Sequence, residues 1–484
     1  MLFFKNLIIY LFKNLFLLFN INIFFSKINH YEKNYKLIEY KNNSDRLNYI
    51  DTLIEIYPDK FDLYLEKTKF KLLIGDSNYT YDLNKYHILK ENYFKKHNLN
   101  NLKIEILPKY LAYGSFGNLF AIYNYILAKK MKLSNDKQIF IFVNKEEKQT
   151  NSICFDYFEK YINTIEHDNE STHHSENFIK NFEIDLGYIL PFENFSVYNY
   201  FAPNILNQYK EKNINKDINN FLTLKKEHYE YGINKLKEIK IPNNAWYVTL
   251  HVREPSTYNE KSGSEDWRNA DIKTYIKSVK YITDQGGYVF RMGDPSMTKL
   301  PKMKNVIDYA HSNIKSKLMD IFLGATCKFL IGTSSGYWIV PAMFNTPVLM
   351  SNTTQSSIYY ALNKNDVFLP RRIFHKNRNK YSNYNKPLSL KELMSDPYAT
   401  SFSKYVSFNL NKNDQYFTSN TEDEILAATK LLYFRSRGKI IKSKYKEKYI
   451  KILNKCAKSL CDRKIISYAS IPDEFFDLNP GLLD

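Results

Sequence analysis

The chain has 484 residues, of which 44% are hydrophobic and 16% aromatic, and it carries a formal net charge of +18 at neutral pH. This hydrophobic content excludes a mainly disordered chain, and the length is sufficient for two or three domains with separate cores. The positive charge suits an anionic membrane or an anionic substrate. Because no zinc-finger spacing, RNA-binding aromatic motif or helix-turn-helix signature accompanies the charge, we expect no nucleic-acid partner. The four scattered cysteines are too few for a disulfide framework and predict free thiols.

The first thirty residues predict a membrane-associated helix. On a helical wheel one side carries polar residues and the rest is Phe, Leu and Ile; the polar residues are Lys5, Asn6, Lys13, Asn20 and Lys27. This pattern favours a helix that lies in the membrane interface. A spanning anchor is the alternative, although the uncharged run between Lys13 and Lys27 is short for a bilayer.

Residues 31–100 predict a short helical segment. A Leu-Leu pair, tyrosines at helical spacing and Gly75 at a turn resemble one tetratricopeptide-like hairpin. A single repeat is not stable alone, so a helical cap on the next domain is the preferred interpretation.

Residues 101–240 predict a first Rossmann-like domain. The order is a strand (LKIEIL, 102–107), a loop with Gly114 and Gly117, an amphipathic helix and a second strand (KQIFIFV, 137–143). This is a βαβ unit. The loop "HDNESTHH" (167–174) has metal-binding residue types, but a solvated loop is the favoured interpretation.

Residues 241–370 predict a second Rossmann-like domain. Strands AWYVTLHV, YVFRM, NVIDY, KFLIG and PVLM alternate with helices, which is typical of a doubly wound parallel sheet. Pro341 predicts a kink or a late start in the helix after "TSSG". Residues 371–484 predict a helical region packing back on the domains, with a capping box formed by Thr421 and Glu424.

Arginine and glycine cluster in the second domain. The chain has only ten arginines, yet three lie close together in sequence: Arg253, Arg268 and Arg291. A guanidinium grips phosphate oxygens in two places, which lysine cannot do. Arg253 and Arg291 lie at or near the ends of two strands. The turn Gly332–Gly336 follows another strand and opens a helix whose N–H groups can hold an anion. Ligands bind at the carboxyl ends of such strands, so we expect one diphosphate site there. The alternative is that Arg253 and Arg291 pair with Glu254, Asp294 or Asp308 and hold loops in place.

Several sequence blocks resemble a family of bacterial glycosyltransferases found with surface-polysaccharide genes. The blocks are "VTLHVREPS", "WRNADIKTYI", "GGYVFRMGDPSM", "VIDYAHSNIKSKLMDIFLGATCKFLIGTSSG" and "FNTPVLMSN", with "GSFGNL" and "FFDLNPGLL" outside the main match at 245–352. They resemble more distantly the His-x-Arg fucosyltransferases that use GDP-fucose. One departure is Glu254-Pro255, where many fucosyltransferases have an arginine or an aspartate.

The resemblance implies a GT-B-like fold, with two Rossmann-like domains facing a cleft. We expect the N-terminal helix to hold these domains on the cytoplasmic face of the inner membrane. It implies a nucleotide-sugar donor, a glycan or lipid-linked acceptor on the side of Gly114, Gly117 and Asn118, and no separate cofactor. The donor side is expected to include Arg253, Arg268, Asn269, Arg291, Gly293, Ser296, Gly332, Thr333, Ser334, Ser335 and Gly336. The candidates for the general base are His251, Glu254 and Asp294.

Two alternatives to a glycosyltransferase remain at this point. A dehydrogenase would need a Gly-x-Gly-x-x-Gly between a strand and a helix, and the sequence has none. A non-catalytic membrane-associated scaffold that binds nucleotide sugars or glycans is the second alternative. The absence of an Asp-x-Asp motif predicts that no metal holds the donor.

Overall fold

The computed structural model describes residues 43–113, 116–144, 152–167, 181–212, 222–254, 266–376, 386–395, 398, 410, 413–461 and 467–484. The predicted membrane helix at 1–30 lies outside these residues. Within them, no helix combines the length and the apolar character that a membrane span requires.

Three helices open the described chain: α1 (Asn43–Ile56), α2 (Phe61–Ile74) and α3 (Tyr79–Lys96). Gly75 ends α2 with φ of 79°, a left-handed conformation that glycine adopts readily. Buried residues of α2 and α3, including Phe61, Leu72 and Leu83, belong to the main hydrophobic core. The helical segment is therefore packed on the rest of the protein.

The next described residues form a small parallel sheet in the order β1-β2-β3. Its elements are β1 (Ile104–Leu107), α4 (Tyr110–Tyr113), the 3-10 turn Phe116–Asn118, α5 (Leu119–Lys130), β2 (Gln138–Asn144), α6 (Ser152–Asp156) and β3 (Ile162–His167). A hairpin of β4 (Ile189–Pro191) and β5 (Ser196–Tyr198) follows, and then α7 (Ala202–Lys212). The predicted βαβ unit is present, with α5 buried along most of its length.

A large parallel sheet forms the second half of the described structure, in the order β11-β10-β9-β6-β7-β8. The strands are β6 (Tyr247–His251), β7 (Tyr288–Arg291), β8 (Val306–Ile307), β9 (Leu330–Thr333), β10 (Val348–Thr353) and β11 (Val367–Pro370). The helices before and between them are α8 (Lys226–Glu238), α9 (Ile276–Asp284), α10 (Lys317–Thr326) and α11 (Ile339–Met343). The strand order is that of a Rossmann-like sheet.

The remaining elements cover this sheet. They are β12 (Arg372–His375), α12 (Leu390–Leu393), β13 (Gln415–Thr418), α13 (Glu422–Ser436), α14 (Lys446–Cys461) and α15 (Asp473–Leu478). One helical layer contains α9 and α13, and another contains α8, α10 and α11. The predicted capping box is confirmed, since the Thr421 side chain accepts from the Glu424 N–H and the Thr421 N–H donates to the Glu424 carboxylate.

The boundary predicted at residue 240 separates α8 from the sheet on which it packs. Gly232 of α8 lies against the Phe322 ring of α10, and a Cβ on Gly232 would come within 2.1 Å of that ring. The main core is continuous from α2 through both sheets to the C-terminal helices. The two sheets therefore share one hydrophobic core.

Candidate functional site

The order in which the chain adds strands to the large sheet reverses between β6 and β9. The chain runs from β6 to β7 and β8 on one side, then returns to β9 on the other side of β6. His251 at the end of β6 pairs in register with Gly332 of β9. Ligands of open parallel sheets bind outside the carboxyl ends of the strands at such a switch point. The residues that follow β6 and β9 therefore occupy the expected ligand crevice.

Hydrogen bonds join the segments that end β6 and β9. The backbone N–H of Arg253 donates to Thr333 Oγ1 at 3.1 Å. Arg268 Nε donates to the Ser334 carbonyl oxygen at 2.7 Å. A Cβ on Gly332 would lie 2.9 Å from the His251 carbonyl oxygen, so this close approach needs glycine. The structure thus brings together these expected donor-side residues: Arg253, Arg268, Gly332, Thr333, Ser334 and Ser335.

A second arginine-rich contact lies beside these residues. Arg253 Nη1 donates to Asn269 Oδ1, and Arg371 Nη2 donates to the Asn269 carbonyl oxygen. Arg371 also donates to Ser419 Oγ at 2.8 Å and lies 4.6 Å from the centre of the Phe417 ring. Burial lowers the pKa of Arg371 to about 10. Sequence analysis missed Arg371 together with the short strand VFLP that it follows; an apolar run ending in an arginine was the signal that could have marked both.

The turn after β9 touches the loop after β1. A Cβ on Gly336 would lie 2.6 Å from the backbone nitrogen of Gly117, and the Phe116 and Tyr337 rings meet edge-on with centres 6.1 Å apart. Asn118 Nδ2 donates to the Tyr110 carbonyl oxygen at 2.9 Å. Two of the expected acceptor-side residues, Gly117 and Asn118, therefore belong to a loop that reaches the donor-side turn. The third, Gly114, lies outside the described residues.

The helix expected after this turn is short. The residues form the 3-10 turn Gly336–Trp338 and then α11, so Pro341 lies in the first turn of α11, where its missing N–H is tolerated. This is the late start predicted from Pro341. With so few residues, α11 contributes little dipole to an anion, and the side chains at the switch point become the more important groups.

His251 is buried, with 9% of its surface exposed, and its ring stacks on Tyr337 with centres 5.5 Å apart. Among the described residues its Nδ1 has no hydrogen-bond partner. Burial, followed by the charges of Arg291, Lys315 and Arg253, lowers the pKa of His251 to about 4. The imidazole is therefore neutral at physiological pH.

Arg291 has surroundings of a different kind. Its side chain is 0% exposed; Nη2 lies 2.8 Å from Glu254 Oε1, and Nη1 lies 3.2 Å from Asp308 Oδ1. The other oxygen of each carboxylate accepts a backbone N–H at 2.9 Å, from Thr298 and Leu300 respectively. We expected Arg291 to grip a diphosphate, with pairing to nearby carboxylates as the alternative, and Glu254 was one of three candidates for the general base. In this geometry both side chains instead hold the segment after β7 in place, and solvent does not reach the guanidinium.

The remaining residues expected beyond β7 form an exposed turn. Asp294 Oδ1 accepts from the Ser296 N–H at 3.0 Å, which closes the turn. Gly293 has φ of 150°, and a Cβ there would lie 2.2 Å from the Met297 sulfur. These contacts account for Gly293, Asp294 and Ser296 structurally. They lie one strand away from the switch point.

Asp320, in the first turn of α10, is connected to His251 through Tyr337. It accepts from the Tyr309 hydroxyl at 2.8 Å and from Lys315 Nζ at 3.3 Å, and burial raises the pKa of its carboxyl group. Its carbonyl oxygen accepts from Tyr337, whose ring stacks on His251. No sequence signal marks it, because its position in the first turn of α10 is common for aspartate.

Within the described residues, no group of three or more His, Cys, Asp or Glu side chains is placed to hold a metal ion. Residues 168–174 of the histidine-rich loop lie outside them.

Comparisons with known proteins add little to this geometry. No family model matches the chain, and no curated protein matches it. The glycosyl transferase family 9 structure from Veillonella parvula DSM 2008 is 11% identical, covering 69% of this chain and 97% of its own, with a TM-score of 0.40. The iron-containing dodecameric glycosyltransferase TibC from enterotoxigenic E. coli H10407 is also 11% identical, covering 64% and 75%, with a TM-score of 0.27. Similarities this weak do not establish the family or the activity of this chain. Its resemblance to fucosyltransferases stays a prediction.

Proposed function

We propose that the protein is a glycosyltransferase that moves a sugar from a nucleotide-sugar donor to a glycan or lipid-linked acceptor. The observation that carries the proposal is the position of Arg253 and Arg268 at the switch point of a Rossmann-like sheet. The Arg253 backbone N–H contacts Thr333 at the end of β9, and the Arg268 side chain contacts Ser334 in the turn that follows. A planar guanidinium matches the oxygens of a diphosphate in geometry as well as charge. A nucleoside diphosphate is thus the ligand class that this crevice suits best.

In this proposal the arginines stabilise the departing diphosphate. Preorganised cations directed at developing negative charge contribute several kcal/mol to catalysis. Arg268 is the partly exposed member and approaches the ligand directly, while Asn269 and Arg371 hold Arg253 in place. Arg291 is left out of the phosphate site, because two carboxylates enclose it. No divalent metal is required for donor binding.

The acceptor approaches from the loop that contains Gly117 and Asn118, as in a GT-B-like arrangement with a cleft between two Rossmann-like domains. Of the three base candidates, Glu254 and Asp294 are engaged in holding the segment after β7. His251 lies at the switch point with a buried Nδ1. With a pKa of about 4 it is a weak base, so we assign it a hydrogen bond to the acceptor hydroxyl or the donor.

Binding and turnover together test the proposal. Calorimetric titration of the full chain with UDP, GDP, CDP and dTDP should give saturable binding to at least one, and the corresponding sugar nucleotide should release that diphosphate. Added EDTA should leave the affinity unchanged; a large loss in EDTA would show that a metal takes part. Failure of every nucleoside diphosphate to bind would exclude the proposal.

The same experiment separates the alternatives. Tight binding of a sugar nucleotide, with neither hydrolysis nor transfer to membrane glycolipid extracts, would favour the scaffold. Saturable binding of NADH, with no response to the nucleoside diphosphates, would favour a dehydrogenase.

A further inference from the structure

The connection between α13 and α14 exposes two adjacent aliphatic side chains. Ile440 is 89% exposed and Ile441 is 41% exposed. Gly438, with φ of 76°, ends α13 and turns the chain outward just before them. Single exposed apolar residues are common, but an adjacent pair at the tip of a connection is an unpartnered apolar surface.

Positive charge surrounds this pair. Between residues 437 and 455 the sequence has eight basic side chains and one acidic side chain, Glu447. Lys444 is paired with Asp477 at 2.8 Å, whereas Lys439 and Lys442 flank the isoleucines and are exposed. Further exposed lysines of α14 lie on the face opposite its buried residues, at Lys448, Lys451 and Lys455. We call residues 437–455 the basic-aliphatic surface.

This surface lies on the side of the amino ends of the strands in the large sheet, whereas the switch-point residues lie at the carboxyl ends. The Arg437 guanidinium is 5.9 Å from the centre of the Trp246 ring, and Trp246 immediately precedes β6. Tyr433, one turn earlier, donates to Gln285 at the end of α9. A partner bound to the basic-aliphatic surface would therefore leave the crevice at the carboxyl ends of the strands open.

We infer that the basic-aliphatic surface binds an anionic lipid bilayer. Lysines attract anionic headgroups, and aliphatic side chains enter the boundary between headgroups and acyl chains. Nucleic acid would use the lysines, but it offers no apolar phase for Ile440 and Ile441. The inference depends neither on the predicted helix at residues 1–30 nor on glycosyl transfer.

A local probe tests this surface in the full chain, whatever the N-terminal segment does. Ile440→Cys is labelled with nitrobenzoxadiazole, a fluorophore that brightens and shifts to the blue in an apolar phase. Vesicles of phosphatidylcholine and phosphatidylglycerol should brighten the label, and vesicles of phosphatidylcholine alone should not. The same label on Tyr229→Cys, an exposed position of α8, should stay unchanged, and labelled unsubstituted protein gives the background from native cysteines.

Charge variants in the labelled background add a quantitative arm. Each lysine near an anionic surface contributes ~1 kcal/mol, so Lys439→Gln with Lys442→Gln should raise the lipid concentration at half response by about ten- to thirtyfold. Lys226→Gln with Lys237→Gln removes the same charge from exposed positions of α8 and should have little effect. Absence of a response at position 440 with anionic vesicles would overturn the inference. An equal response to RNA without lipid would assign the surface to nucleic acid instead.

A nucleotide titration without vesicles distinguishes the two proposals. Both charge variants should bind the nucleoside diphosphate as the unsubstituted protein does. Failure of that binding in every variant would count against the proposed function and leave the membrane inference standing.

Discussion

Arg268 and Arg291 both lie at the carboxyl ends of strands in the large sheet, and they differ in what surrounds the guanidinium. Arg291, at the end of β7, is wholly buried between Glu254 and Asp308. Arg268 is partly exposed and donates to the Ser334 carbonyl in the turn after β9. The sequence places both among the rare arginines of the same domain.

The difference shows that the end of a strand is not enough to predict a ligand site. What separates the two arginines is topology: β6 and β9 flank the point where the strand order reverses, and β7 lies one strand away. A crevice opens at a switch point because the chain leaves the two adjacent strands in opposite directions. The segment after β7 is instead held in place by the ion pairs of Arg291 with Glu254 and Asp308.

The largest expected effect is on stability, in Arg291→Gln. The substitution leaves Glu254 and Asp308 without their cation, and breaking a buried ion pair costs about 3–5 kcal/mol. Urea unfolding should show this loss, with nucleotide affinity per folded molecule unchanged. Lys302→Gln, an exposed cation of the same connection, is the control and should unfold like the unsubstituted protein. A stable Arg291→Gln variant with weakened nucleotide binding would reverse the assignment.

The second prediction concerns the pH dependence contributed by His251. Its folded pKa of about 4 lies below the ordinary value of 6.5, so above pH 6.5 both states are neutral and the group contributes nothing. As the pH falls from 6.5 towards 4, only the unfolded state takes up the proton, and stability falls by up to roughly 3 kcal/mol. His251→Gln should remove this part of the decline.

The stability of the unsubstituted protein must be compared with that of His251→Gln at each pH, because other groups titrate in the same range. Burial raises the pKa of Asp366 from 3.8 to about 7, so its contribution to stability is lost as the pH rises through that interval. Asp366 contributes this opposite trend in the unsubstituted protein and in His251→Gln alike, so it cancels when the two free energies of unfolding are subtracted. Parallel curves of stability against pH would contradict the assigned environment of His251.

The third prediction concerns the contact between the two sheets. In Gly336→Ala the new methyl group would lie 2.6 Å from the Gly117 nitrogen. The clash can be relieved only by moving the backbone, because the Gly117 nitrogen is a backbone atom. Overpacking of this kind costs about 1–3 kcal/mol, so the melting temperature should fall. Gly481→Ala places its methyl group 3.8 Å from the Asp484 carboxylate and should melt normally. Equal melting of the two variants would mean that the loops do not meet this closely.

The smallest expected effect is in Arg371→Lys. Lysine keeps the charge but cannot reach Asn269 and Ser419 together, so Arg253 loses part of its support. One lost hydrogen bond of about 1 kcal/mol should weaken nucleotide binding roughly fivefold. Arg372→Lys provides the contrast, since Arg372 pairs with Glu424 and should affect melting rather than nucleotide affinity.

Much of the large sheet could be predicted from sequence, because buried parallel strands appear as short apolar runs between helices. The strand β11 was missed: VFLP is four residues long and ends in proline, at the edge of the sheet where proline is tolerated. Arg371 was missed with it. Pairing of Arg291 with Glu254 and Asp308 was an alternative that the sequence already offered, but the sequence could not decide between this pairing and a phosphate site, because only the tertiary fold brings the two carboxylates to the guanidinium. The capping box at Thr421 was predicted correctly because it is local.

Nucleotide affinity measured per folded molecule in Arg268→Lys and Arg291→Lys tests the central claim most directly. We expect Arg268→Lys to weaken binding of the preferred nucleoside diphosphate about ten- to a hundredfold, since a hydrogen bond to a charged group contributes ~1.5–3 kcal/mol. Its melting temperature should fall less than that of Arg291→Lys, since Arg268 makes one hydrogen bond to Ser334 and Arg291 is enclosed by two carboxylates. Arg291→Lys should lower the melting temperature and leave the affinity of the folded protein as it was. Unchanged affinity in Arg268→Lys together with weakened affinity in Arg291→Lys would contradict the placement of the site at the switch point.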